Sequence, residues 1–110
     1  MPQVGRINAN WAPDARTEVE RFVQNARVPG AVLSLFRNGD DPAGTRWSYT
    51  VMTPDRVQAL AAALQGRGHS LLHDIDGVTV AISNAAQVKA LDGLTLDLLG
   101  SGYLVARPAP

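Results

Sequence analysis

In PDARTEVERFVQNARVPG, residues 13–30, Val19, Phe22, Val23 and Ala26 fall at i, i+3, i+4 and i+7, the apolar stripe of a helix packed on one side. Pro13 or Asp14 opens that helix and Val28-Pro29-Gly30 closes it. AVLSLFR at 31–37 is apolar on both alternating faces, with Ala31, Leu33 and Leu35 on one side and Val32 and Phe36 on the other. This predicts a strand covered on both faces for most of its length. NGDDPAGT at 38–45 holds nothing that can form a core and reads as a flexible loop. RWSYTVM then sets Trp47, Tyr49 and Val51 against Arg46, Ser48 and Thr50, a half-exposed strand.

Thr53-Pro54-Asp55 is a helix start: a capping hydroxyl, a proline where no N–H is needed, and an acid at the positive end of the dipole. Val57, Leu60, Ala61 and Leu64 form the buried stripe, and Gly66 and Gly68 around Arg67 offer a left-handed stop. Asp76-Gly77 lies between two β-like runs and is the dipeptide of a type I′ turn. A two-residue turn there pairs Ile75 with Val78, Asp74 with Thr79, His73 with Val80, Leu72 with Ala81 and Leu71 with Ile82. Ser83 or Asn84 can cap a short helix carrying Ala85, Val88 and Leu91. LTLDLL at 94–99 fits a helical turn and a strand equally, and YLVARP at 103–108 reads as a final strand.

These elements make a single α/β (α+β) domain over residues 1–110: an antiparallel or mixed sheet of four to six strands, with two or three helices mainly on one face. Residues 1–12 are expected as an N-terminal arm and 107–110 as a tail. Read from residue 46, the order strand, helix, strand, strand, helix, strand resembles the ferredoxin-like plait used by ACT and SPOR domains. The resemblance lies in element order alone and implies no ligand. It would make the first helix and strand an addition that extends the sheet.

Ten basic residues balance ten acidic ones, so no global field attracts nucleic acid or an anionic membrane. A net charge near zero also removes the self-repulsion that keeps small proteins apart. With no cysteine, disulfides, thiolate metal sites and cysteine nucleophiles drop out. No apolar run approaches the roughly 18 residues of a membrane span, and the N-terminus lacks the apolar core of a signal peptide, so a cytoplasmic protein is expected. The richness in Ala, Gly, Arg and Pro is that of a GC-rich bacterial or phage genome.

HDID at 73–76 is the densest cluster of reactive groups. In a strand, His73 and Asp74 point to opposite faces and cannot converge on one atom. His69 and His73, if both extended, lie about 13 Å apart, too far for one metal ion. No metal site and no cofactor are therefore expected. The weak catalytic candidates are His69, His73 and Asp74, with a carboxylate supplied from elsewhere. Gly100-Ser101-Gly102 is no nucleophile elbow, and Gly66-Arg67-Gly68 follows a helix instead of opening one. Trp47 and Tyr49 share a strand face beside Arg46, which fits a place in the core first and a binding surface second, and His69 stands at the open end of the hairpin as a further binding candidate.

The expectation from sequence is a small soluble regulatory or accessory protein of the phage, secretion or immunity type, which docks to itself or to a partner protein. The alternatives are a small hydrolase or isomerase using His69 or His73, and a small-molecule sensor with its ligand between subunits.

Overall fold

A computed structural model describes residues 4–37, 46–100 and 103–108, so the expected loop at 38–45 and the last two residues of the tail lie outside the described residues. The chain runs β1 (Val4–Arg6), β2 (Asn10–Trp11), α1 (Pro13–Asn25), β3 (Val32–Arg37), β4 (Arg46–Met52), α2 (Pro54–Gln65), β5 (Leu72–Ile75), β6 (Val78–Ala81), α3 (Ala85–Ala90), β7 (Leu94–Gly100) and β8 (Tyr103–Pro108). The fold is α+β with a mixed sheet, as expected. Its sheet has eight strands in the order β1-β5-β6-β3-β4-β8-β7-β2, more than the four to six anticipated. The two strands beyond six are β1 and β2 of the N-terminal segment, and 94–108 forms a hairpin of two strands.

Element order from residue 46 is close to that of the plait, but the sheet is not one. β3 pairs antiparallel with β4 and parallel with β6, and so stands between them, where the plait requires strands one and three to be neighbours. The first long strand is the centre of the sheet, not an extension at its edge. Apolar content explains the placement, because Leu33 and Leu35 are among the most deeply buried residues of the fold.

Residues 4–12 are no arm. β1 runs parallel to β5 and β2 runs parallel to β7, at opposite edges of the sheet. Eight flat strands spaced about 4.8 Å apart would separate those edges by about 34 Å, yet the four steps from Arg6 to Asn10 reach at most about 14 Å. The sheet must therefore curl until its edges nearly meet. Direct bonds seal the seam: Ile7 N–H donates to Asp74 O, Gly93 N–H to Asn8 O and Ala12 N–H to Leu96 O. The indole of Trp11 donates to Ile75 O at 2.8 Å, joining β2 to β5.

The concave face of this curled sheet carries the main core. Trp11, Leu33, Leu35, Trp47, Tyr49, Ile75, Val80, Leu96 and Leu104 pack there against Ala15 and Val19 of α1. Arg16, one turn into α1, donates to Asp76 O at 2.8 Å and so pins the helix to the hairpin turn. That turn is the expected one: Asp76 and Gly77 both have positive φ, and the register of β5 on β6 matches the sequence reading at all four strand pairs. α2 lies on the convex face, where Val57 packs with Met52, Leu71, Leu72 and Ala81. Thr53 stands at its N-cap but its hydroxyl makes no capping bond. Asn84 does cap α3, accepting from the N–H groups of Ala86 and Gln87, and 94–99 is strand.

Candidate functional site

The two histidines meet in one cleft. α2 ends in a turn in which Gly68 takes φ +78, a conformation glycine adopts without strain. His69 N–H then donates back to Leu64 O. This reversal keeps residues 68–70 out of the strand, which begins at Leu72, so the extended spacing anticipated for His69 and His73 does not apply. A cleft of about 480 Å³ opens between that turn and α3, lined on one side by His69, Ser70 and His73 and on the other by Ala85, Ala86, Val88 and Lys89. Its size lies within the range of about 300–1,000 Å³ usual for small-molecule sites.

His73 is the fixed wall of the cleft. It lies on the concave face opposite Val80 and is 8% exposed. Its Nε2 is 3.0 Å from Ser70 O; a carbonyl can only accept, so the neutral ring carries its proton on Nε2. On the other side β1 brings Gly5 into register with His73. A Cβ there would stand 2.8 Å from Nδ1, so the absence of a side chain at residue 5 lets the imidazole lie flat against β1.

Burial lowers the His73 pKa below that of a free imidazole, outweighing the opposing bond to Ser70. As pH falls, the unfolded chain therefore binds the proton first. The stability His73 contributes is complete above the free imidazole value of about 6.5 and is lost as pH falls toward the lower folded value. Replacement of His73 by leucine is expected to flatten the pH dependence of urea stability between about pH 5 and 7, where one proton accounts for a slope of up to about 1.4 kcal/mol per pH unit. Equal slopes in wild type and variant would contradict this role.

The other sequence candidates separate. Asp74 lies on the convex face, in register with Arg6 of β1, and does not line the cleft. With no carboxylate among the cleft's lining residues, the expected pairing of a histidine with an acid is not assembled there. Among the described residues no group of three or more metal-ligating side chains occurs.

Trp47 and Tyr49, expected as binding residues, are 1% and 7% exposed. Their strand alternates as foreseen, but the apolar side is the concave one, where Phe22 of α1 meets the Tyr49 ring edge-on at 5.1 Å. They belong to the main core. Arg46, of opposite parity, is exposed on the convex face.

The exposed large apolar residues among those described are Val4, Phe22, Val28, Phe36 and Tyr103, none of them expected as a binding residue. Phe36 of β3 is 46% exposed and Tyr103 of β8 is 44% exposed. β4 lies between their strands, and Ser48 is in register with both, so the two rings flank a single serine about 10 Å apart. The expectation that β3 is covered on both faces holds only at its start, where α2 packs over Val32. Among the described residues no helix packs over the rest of the convex face, where Arg107 stands beside Thr95.

Compared with protein-family models and with curated proteins, the chain matches neither.

Proposed function

We propose that this chain is a small binding protein, and that it docks through the uncovered convex face of its sheet onto a second copy of itself. The observation that carries the reading is the pair Phe36 and Tyr103, exposed on either side of Ser48 on the convex face of the sheet, near the ends of β3 and β8. Exposed aromatic residues on a rigid surface supply interface energy at little entropic cost. Charge favours self-association as the mode. Asp97 of β7 and Arg107 of β8 lie on this face. A two-fold interface can therefore set Asp97 of one copy against Arg107 of the other. The balanced net charge of the chain adds no opposing repulsion.

The test is sedimentation equilibrium over a concentration series. Wild type is expected to rise from the monomer mass of 11.7 kDa toward twice that value, while Phe36→Ser/Tyr103→Ser stays monomeric with unchanged thermal stability. A wild type that is monomeric throughout would contradict self-docking, as would a double variant that associates equally well.

A further inference from the structure

The histidine cleft lies on the other face of the sheet, and its chemistry differs from that of the docking surface. We propose that it binds a small monocarboxylate with an apolar body, the carboxylate held at the mouth by Lys89 and His69. Three observations carry this.

The first is charge. Lys89 and the ring N–H of His69 are exposed and face one opening from opposite sides, while the lining contains no carboxylate. An ammonium and an imidazole N–H with no acid between them complement one anionic group. The adjoining hollow shares Val88 and Lys89 and is also lined by Arg6 and Asp92. The second is the wall. Ala85, Ala86 and Val88 turn short apolar side chains to the cleft, leaving room for an apolar body.

The third is rigidity. Ser70 O and the bare backbone of Gly5 fix the His73 ring. α3 is held by its Asn84 cap, by Gln87 Oε1 accepting from Arg37 N–H, and by the full burial of Leu91 just beyond it. A preformed site loses little entropy when a ligand enters.

The probes are 4-phenylbutyrate and its neutral match 4-phenylbutanamide, titrated into the full chain and followed by backbone amide shifts. The carboxylate is expected to give saturable shifts at millimolar concentrations at His69, Ser70, Ala86, Val88 and Lys89. The amide is expected to bind about tenfold more weakly. Lys89→Gln, at an exposed position, is expected to erase that difference while leaving the fold intact. No saturable shift at these residues, equal binding of acid and amide, or a Lys89→Gln variant that still prefers the acid would each overturn the proposal.

Discussion

Trp11→Ala is expected to cost about 3–5 kcal/mol of folding stability, the range for removing a buried aromatic side chain. For a domain of this size, whose total stability is about 5–15 kcal/mol, that is a large share. Two losses combine. The indole is 6% exposed within the main core, and its N–H is the donor to Ile75 O across the seam of the curled sheet. Trp11→Phe separates the two: the ring volume is largely kept, Ile75 O loses its partner, and the cost is expected at about 1–3 kcal/mol. Urea denaturation measures both. A Trp11→Ala variant within about 0.5 kcal/mol of wild type, the range of an ordinary surface substitution, would mean that residues 4–11 do not close the sheet.

Trp47→Ala carries an effect of similar size for a different reason. Trp47 is 1% exposed on the central strand β4, in register with Leu104 on one side and Arg37 on the other. Among the described residues its indole makes no hydrogen bond, so the loss of about 3–5 kcal/mol is expected from packing and cavity. A surface tryptophan behaves oppositely: its removal leaves stability in place and weakens association. Urea midpoints combined with sedimentation of the same variant therefore distinguish a core residue from an interface residue. Full stability with lost association would return Trp47 to the role expected from its sequence.

Much of the architecture was legible where local chemistry decides it. Asp-Gly dictates a type I′ turn, and a two-residue turn leaves one register, so the pairing of His73 with Val80 follows from two letters of sequence. Proline at the first helical position marked both long helices correctly. Alternation was equally dependable in assigning residues to faces and failed only in saying which face is covered. Trp47 and Tyr49 were placed on one side and Phe36 on the other side of its strand. Their burial then depends on α1 packing on the concave face and α2 covering only one end of the convex face.

Long-range pairing was invisible for the same reason. Val4–Arg6 and Asn10–Trp11 are too short and too polar to signal strands, and they owe their conformation to edges built 68 and 85 residues later. The cleft was half legible. His69 stood out at the open end of the hairpin, but Lys89 came from a short helix whose position beside His73 only the tertiary fold defines.

The claim that the convex face is the working surface is tested most directly by locating the interface itself. Backbone amide shifts recorded from micromolar to millimolar protein are expected to change at residues 34–36, 46–50 and 103–107, with α1 and the histidine cleft unaffected. Changes confined to α1 or the cleft, or a spectrum independent of concentration, would contradict it.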